Sequence, residues 1–308
     1  MNGLLVTNAF LRTEKFSEHY DWLRKAAESR EMTLSISSNA DFFLSFDEME
    51  EEAEKIKAYD FILYWDKDIP FGRRLTFYAD IFHIPVFNPV SAIDCSDDKL
   101  MTYEKIAGWN LGRDVDDKIP LIPTIGAPMT YANIGYTDTG FVKKMIDYLG
   151  LPMVIKECRG SFGMQVYLAQ TEEEVLAYTK KLEGVPFLYQ KYIGESAGKD
   201  VRLQVVGGEV VAAMYRYSVS GDFRANLTNG GCMKPYAPSE AECDLAVRAT
   251  KALGLSFAGV DLLFSGSTDK ADLLCEINSN AHFKNIYTCT GINVAECIME
   301  YIVRELSH

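Results

Sequence analysis

The sequence predicts a mixed α/β protein in which a parallel-sheet domain precedes a region of antiparallel strands. Up to about residue 95, short apolar runs such as 3–8 and 61–65 alternate with helical patterns, which is typical of βα units in a parallel sheet. From residue 200 onward, two apolar runs flank Gly207-Gly208, a pattern that favours a β-hairpin. A chain of 308 residues is long enough for two or three domains.

We expect the domains to span residues 1–95, 96–190 and 191–308. The first is predicted to contain, in order, strand 3–8, helix 17–28, strand 33–37, helix 46–57, strand 61–65, helix 72–81 and strand 84–88. The remainder is predicted to contain a helix from the N-cap Asp97 to Trp109, helix 138–149, two strands within 152–169, a helix from the Thr171/Glu174 capping box to Leu182, strand 187–193, the hairpin, helix 239–253 and helix 291–306. Trp22, Trp65 and Trp109 are interpreted as core residues.

Composition and charge argue against several classes of protein. The net charge of −13 opposes bulk attraction to nucleic acid or to an anionic membrane, although it leaves open a local basic site. The seven cysteines form no CxxC pair or zinc spacing, which favours reduced thiols and a cytoplasmic location. No signal peptide or membrane-length apolar run is recognised.

The segment 259–280 carries acidic side chains inside two apolar runs, and we expect it to organise the site. Glu276 and Asn278 are two residues apart on a strand and therefore share a face; in a hairpin, Asp261 can join them. Two carboxylates and an amide oxygen are ligands that Mg²⁺ accepts. The alternative is the solvated side of an edge hairpin, but the apolar neighbours favour burial, which requires a partner or a metal.

Two lysines and one strand end are candidates for nucleotide binding. Lys156 ends an apolar strand before RGSFG (159–163), whose glycines would let backbone N–H groups approach a phosphate, although such turns also close ordinary hairpins. Lys99 lies at a helix start, where a cation is unfavourable, and is alternatively a solvated surface lysine. The backbone of 190–193 either offers a donor and an acceptor to adenine or is an ordinary strand end.

Three further polar residues lie in or beside the antiparallel region. Asp200 and Arg202 share a strand face, and their simplest interpretation is a local ion pair. Arg216 is a cation in an apolar run and needs a phosphate or a carboxylate as partner. Asn226 follows in a polar loop that could fold back to the same site.

From about residue 85 onward, these features together resemble the ATP-grasp superfamily, and within it the RimK-like carboxylate–amine ligases. The resemblance rests on Asn88 and Ser91 before DDKLMT (97–102), LPMVIKECRGSFGMQVYLA, YQKYIGESAGKDVRLQVVGGEVVAAMYR, DFRANLTNGG (222–231), AGVDLLF and CEIN. It implies an N-terminal preATP-grasp domain and two ATP-grasp subdomains that clasp ATP, one with the glycine-rich loop and one with the metal-binding hairpin.

The resemblance also implies roles for individual residues. Lys99 and Lys156 would contact the ATP phosphates, and the loop containing Gly160, Ser161 and Gly163 would close over them. Gln190, Lys191, Tyr192 and Ile193 would hold adenine, with Lys199 and Asp200 near the nucleotide. Asp261, Glu276 and Asn278 would bind Mg²⁺, as two ions that Mn²⁺ can replace. Arg216 and Asn226, with Lys156, would stabilise the transferred phosphoryl group.

The sequence departs from this branch in two places. Thr228-Asn229 precedes the paired glycines where ribosomal-protein-modifying members have His-Arg, which removes a positive charge unless Lys234 supplies it. After Asn278 the chain continues SNAHFKN, which is more similar to the LysX and ArgX ligases, with His282 in place of an expected glutamate. His282 either touches the acceptor or simply ends the strand, and the other histidines are interpreted as surface or packing residues.

The resemblance implies that ATP, a carboxylate and an amine give an amide, ADP and phosphate through an acyl phosphate. The partners would be an amino acid, a peptide or a carrier protein, and members of this branch often form dimers or tetramers. The alternatives are a peptide macrocyclase, a kinase-like phosphotransferase, an ATP-binding protein without turnover, and a structural α/β protein, which would not need Lys156, Arg216 and Asp261 inside apolar strands.

Overall fold

The computed structural model describes residues 1–11, 13–42, 47, 49–160, 164–225, 230–266 and 271–307. Within these ranges the strands form three sheets, one in each successive part of the chain. The mixed α/β class and the change from parallel to antiparallel pairing are therefore confirmed. No helix in the described ranges is both long enough and apolar enough to span a membrane.

The first sheet is parallel, with strand order β2-β1-β3-β4. Its strands are β1 (Asn2–Thr7), β2 (Thr33–Ser38), β3 (Phe61–Tyr64) and β4 (Val86–Phe87), and its helices are α1 (Glu14–Glu28), α2 (Met49–Glu54), α3 (Ile69–Ile81) and α4 (Val90–Asp97). Helix α1 begins three residues before the predicted Ser17, because Thr13 is the extended residue at its N-cap.

The predicted N-cap Asp97 is wrong by one residue. Asp97 ends α4, and the carboxylate of Asp98 accepts hydrogen bonds from the N–H groups of Leu100 (3.0 Å) and Met101 (3.1 Å) at the start of α5 (Lys99–Asn110). An aspartate at this position satisfies helix N–H groups that have no partner inside the helix. The one-residue shift makes Lys99 the first residue of α5.

The second sheet is antiparallel, with strand order β5-β8-β6-β7, and it has its own core. Its elements are β5 (Thr124–Gly126), α6 (Phe141–Leu149), β6 (Met153–Glu157), β7 (Val166–Ala169), α7 (Glu172–Lys181) and β8 (Phe187–Lys191). Thr171 caps α7 by accepting from Glu174 N–H at 3.3 Å, but the Glu174 carboxylate bonds the N–H of Gln170, so only half of the predicted capping box forms.

The third sheet is antiparallel, with strand order β11-β10-β9-β12-β13. Its elements are β9 (Lys199–Val206), β10 (Glu209–Tyr217), β11 (Cys232–Pro235), α8 (Glu240–Leu253), β12 (Phe257–Leu263), β13 (Leu273–Asn278), α9 (Lys284–Thr290) and α10 (Val294–Leu306). The Gly207-Gly208 hairpin is confirmed, and both glycines have positive φ (58° and 84°), as a tight turn requires. The predicted closing helix 291–306 is shorter, because left-handed Gly291 ends α9 and Asn293 caps α10.

The first and third sheets share one hydrophobic core. Leu5, Leu23 and Phe61 pack in the same cluster as Phe257 and Ile298. Fully buried Asn88 joins the same two parts, and its amide oxygen accepts from the N–H groups of Ser256 (2.7 Å) and Phe257 (3.2 Å). Its Nδ2 donates to the carbonyls of Phe257 (2.9 Å) and Ser279 (3.0 Å). We retain 1–95, 96–190 and 191–308 as a proposed division, with the first and third parts packed together.

Candidate active site

A cavity of about 450 Å³ lies where the three sheets meet. Its lining includes every predicted site residue in the described part of the chain: Lys99, Lys156, Gly160, Gln190, Lys191, Tyr192, Ile193, Lys199, Asp200, Arg216, Asp261, Glu276 and Asn278. Ser161, Gly163 and Asn226 lie outside the described residues, as do Thr228 and Asn229. The fold thus brings together residues that are far apart in the sequence.

Strand register builds a buried ion-pair network on the cavity face of the third sheet. Asp200 of β9 opposes Arg216 of β10, and Arg202 of β9 opposes Asp261 of β12. Arg216 donates from Nε and Nη2 to the two Asp200 oxygens (2.6 and 2.7 Å), and Arg202 donates likewise to Asp261 (both 2.6 Å). Arg216 Nη2 also lies 3.1 Å from Asp261 Oδ2.

The predicted pairing of Asp200 with Arg202 along one strand is therefore wrong, because each residue pairs across strands instead. Burial alone would raise the pKa of Asp261, but the guanidinium groups of Arg202 and Arg216 outweigh it and hold that pKa below its ordinary value. Burial opposes the charge of Arg216, yet Asp200 and Asp261 raise the pKa of Arg216. The two carboxylates and two guanidinium groups balance one another in charge, although burial raises the pKa of Asp200 despite its bonds to Arg216.

The two predicted phosphate-binding lysines, Lys156 and Lys99, are both buried side chains that line the cavity. Lys156 of β6 is 5% exposed, and it has no ion pair with any carboxylate among the described residues. Lys99 is 8% exposed, so its interpretation as a solvated lysine is wrong. Its Nζ donates to the carbonyl of Gly160 at 3.3 Å and lies 3.8 Å from Glu276 Oε1. An anion is the partner that buried Lys156 calls for.

The predicted metal ligands come together, and their oxygens suit Mg²⁺ in kind. Asp261 directly opposes Glu276 across β12 and β13, and Asn278 is on the same face as Glu276. Glu276 and Asn278 line the cavity, and Asn278 Nδ2 is a buried atom without a hydrogen-bond partner among the described residues. Asp261 fits as a metal ligand only if its carboxylate oxygens bind the metal while they also accept from the guanidinium groups of Arg202 and Arg216. No cluster of three acidic, histidine or cysteine side chains suited to a metal is found in the described ranges.

The predicted adenine segment is fixed at the cavity by its glutamine. Buried Gln190 donates from Nε2 to the hydroxyl of Tyr103 (2.9 Å) and to Thr124 Oγ1 (2.8 Å). These bonds occupy the N–H groups of the Gln190 side chain, so Gln190 would serve an adenine edge through its backbone. That role stays a prediction.

Lys234 does not supply the charge that was predicted to be missing near the acyl phosphate. It is exposed on β11, and its ammonium lies 4.9 Å from the centroid of the Tyr215 ring. Tyr215 is adjacent to Arg216 on β10 and therefore lies on the opposite face of the sheet. Arg224 does line the cavity, paired with Asp222 at 2.7 Å, and sequence reasoning did not single it out.

The cavity lining also contains Asp66, directly after Trp65 at the end of β3, and Tyr20 of α1, which sequence reasoning missed. Trp65 packs in the core, as interpreted, and also borders the cavity. The available signal was the position of Asp66, because ligands of open parallel sheets bind beyond the carboxyl ends of strands. His282 also lines the cavity, with its ring 5.0 Å from that of Phe16 and 4.5 Å from that of His19.

Comparisons with known proteins agree with the fold. Residues 115–302 match the family model of the RimK-like ATP-grasp domain. A probable alpha-L-glutamate ligase of Pectobacterium carotovorum is 30% identical over 295 residues, which cover 91% of this chain and 89% of that protein. A probable alpha-L-glutamate ligase of Shewanella pealeana is 36% identical over 240 residues, 77% of this chain. The match covers 48% of that relative, so the chain spans about half of its length.

Among solved structures, the ATP-grasp ligase PsnB complexed with minimal precursor, Mg, and ADP has a TM-score of 0.69 at 14% identity, covering 99% of this chain and 98% of that one. This likeness shows the ATP-grasp fold. Since the family model also matches more than half of the sequence, the chain belongs to the RimK-like ATP-grasp family.

Proposed function

We propose that the protein is an ATP- and Mg²⁺-dependent ligase that joins a carboxylate to an amine through an acyl phosphate. The observation that carries this proposal is Lys156, a buried cation that faces the cavity without a carboxylate partner among the described residues. A phosphate group would neutralise it, and Lys99 beside the Gly160 carbonyl would add a second donor.

In the proposed reaction, a substrate carboxylate oxygen attacks the γ-phosphorus of ATP and ADP leaves. The amine then attacks the acyl carbon, phosphate leaves and the amine loses a proton. Lys156 and Lys99 would hold the phosphate oxygens, and Arg216, fixed by Asp200 and Asp261 through Nε and Nη2, would present its two Nη1 N–H groups to charge that develops in the cavity. Bound Mg²⁺, as two ions that Mn²⁺ can replace, would neutralise phosphate charge beside Glu276 and Asn278.

The names of the relatives point to glutamate as one substrate. Both curated relatives are probable alpha-L-glutamate ligases, and we extend that substrate to this chain as a proposal. The second substrate would be an amino acid, a peptide or the acidic tail of a carrier protein. A cavity of about 450 Å³ has room for a nucleotide and for the ends of such substrates.

The test is release of ADP from Mg²⁺-ATP in the presence of L-glutamate with pooled amino acids and acidic peptides. We expect a pool-dependent rate, an amide product by mass spectrometry, and loss of the rate in Lys156→Met. The matched control is Lys144→Met, which changes an exposed lysine of α6 outside the cavity lining. A phosphorylated product without an amide would indicate a phosphotransferase, and ATP binding without turnover in any pool would contradict the ligase proposal.

A further inference from the structure

Asp66 is a buried carboxylate at the end of the cavity formed by the first sheet. It is 5% exposed and lines the cavity. Its oxygens accept hydrogen bonds from neutral donors, namely Asn8 Nδ2 (3.1 and 3.3 Å) and the backbone N–H of Lys67 (2.7 Å). The ammonium of Lys67 pairs with Asp97 instead. Among the described residues no cation forms an ion pair with Asp66.

The described residues therefore supply no counterion for this buried carboxylate. Burial raises the pKa of Asp66 despite its hydrogen bonds to Asn8 and Lys67, and burial together with the charge of Asp66 raises the pKa of Tyr20 to about 12. A buried carboxylate is ordinarily paired with a cation or bound to a metal. The missing cation can come from a ligand, because the carboxylate borders open space.

Aromatic side chains belong to the same cavity lining as Asp66. Tyr20, Trp65 and Phe16 line the cavity together with Asp66. Aromatic faces attract ammonium groups, and a carboxylate beside them adds a charge-assisted hydrogen bond. A phosphate, in contrast, would be repelled by Asp66, so the chemistry of this part of the lining favours a cation.

Asp66 is also fixed relative to the proposed reacting centre. Asn280, two residues after Asn278, donates from Nδ2 to the Asp66 carbonyl at 3.2 Å. This bond connects the loop after β3 to the end of β13, the strand that carries Glu276 and Asn278. A group bound at Asp66 is therefore held in the same cavity as the acyl phosphate of the proposed reaction.

We propose that Asp66 binds the ammonium group of an amino-acid substrate, with Tyr20 and Trp65 around it. The inference rests on the proposed function and deepens it, because it requires that one substrate enter as a protonated primary amine. That amine is either the acceptor or the α-ammonium of the amino acid that donates the carboxylate. Both share the chemistry that Asp66 recognises.

Binding in the absence of turnover tests this site directly. The purified protein with Mg²⁺-ADP is titrated calorimetrically with L-glutamate and with glutarate, which lacks the ammonium, and then with the other L-amino acids and their des-amino analogues. We expect the amino acid to bind at least about tenfold more tightly than its analogue, and Asp66→Asn to remove that preference. Asparagine keeps an acceptor for Asn8 and the Lys67 N–H, so the fold is expected to persist.

The matched control is Asp60→Asn, which makes the same change at an exposed residue of the first domain. Equal affinity of wild type and Asp66→Asn for the amino acid, equal affinity of wild type for amino acid and analogue, or no binding of any amino acid would each overturn the inference. Once a substrate pair is known, the KM that rises in Asp66→Asn identifies which substrate carries the ammonium. Failure of the ligase proposal is recognised separately, by absence of pool-dependent ADP release in the wild type.

Discussion

The cavity lining contains buried charges of two kinds: those that are paired, and those for which the described residues supply no ion-pair partner. Lys156 has no carboxylate partner, and Asp66 has no cationic partner, among the described residues. On the third sheet, in contrast, Arg202 and Arg216 neutralise Asp200 and Asp261. The contrast separates two uses of buried charge, because a paired network positions groups while an unpaired charge marks where a ligand of opposite sign belongs.

The largest expected effect tests the paired region. Arg216→Met leaves Asp200 and Asp261 with fewer cations, and removal of one partner from a buried ion pair costs about 3–5 kcal/mol. We expect a decrease of that size in the free energy of unfolding, measured by urea denaturation. Arg24→Met, which breaks an exposed pair with Glu28, should cost less than about 1 kcal/mol. Equal decreases in the free energy of unfolding for the two variants would contradict the distinction between buried and surface ion pairs.

Lys156→Met tests the buried lysine that has no carboxylate partner among the described residues. Losing one preorganised donor to a developing negative charge lowers rates by about 100-fold or more, and we expect that loss in the rate of ADP release. The free energy of unfolding should not fall, since no ion pair with a described carboxylate is broken. A variant that is destabilised but retains its rate would place Lys156 among the structural residues.

The proposed metal site is tested by Asn278→Ala. Even the outer partners of a metal change its affinity by about 10- to 100-fold, so the Mg²⁺ concentration for half-maximal ADP release should rise at least about tenfold. Excess chelator should abolish the rate in the wild type. Asn2→Ala, at the start of β1 and outside the cavity lining, serves as the control. An unchanged Mg²⁺ dependence would exclude Asn278 as a ligand.

The smallest expected effect is the contribution of Asp66 to the dependence of protein stability on pH. Since burial raises the folded-state pKa of Asp66, the folded protein holds this proton more tightly than the unfolded chain does. The free energy of unfolding therefore decreases as the pH rises above about 3.9, the pKa of an aspartate in the unfolded chain. The decrease is complete once the pH exceeds the pKa of Asp66 in the folded protein. The neighbouring titratable groups include Tyr20, Tyr64, Lys67 and Asp68.

Asp66→Asn should consequently raise the melting temperature more at pH 8 than at pH 4.5, as followed by differential scanning fluorimetry. Asp60→Asn should show no such difference. A lower melting temperature for Asp66→Asn at pH 8 would indicate that its charge stabilises the fold, and would remove the contrast with the paired network.

Local patterns predicted the elements and the membership of the cavity, but not which groups pair. The Gly207-Gly208 hairpin and the opposition of Asp261 and Glu276 follow from strand signals that are local in sequence. The pairing of Asp200 with Arg216 depends on register between strands, which the spacing of Asp200 and Arg202 does not contain. Trp65 was correctly assigned to the core, but that it also borders the cavity depends on distant parts of the chain, which residue type does not reveal.

The core shared by the first and third sheets has a consequence for how the chain is made. Leu23 of α1 packs in the same cluster as Ile298 and Ile302 of α10, so the first sheet cannot complete its core until α10 has been synthesised. Residues 1–95 would leave the ribosome with an apolar face that has nothing to cover it, whereas the second sheet, with a core drawn from 142–189, can fold as soon as it emerges. The part made second would then be the part that folds first.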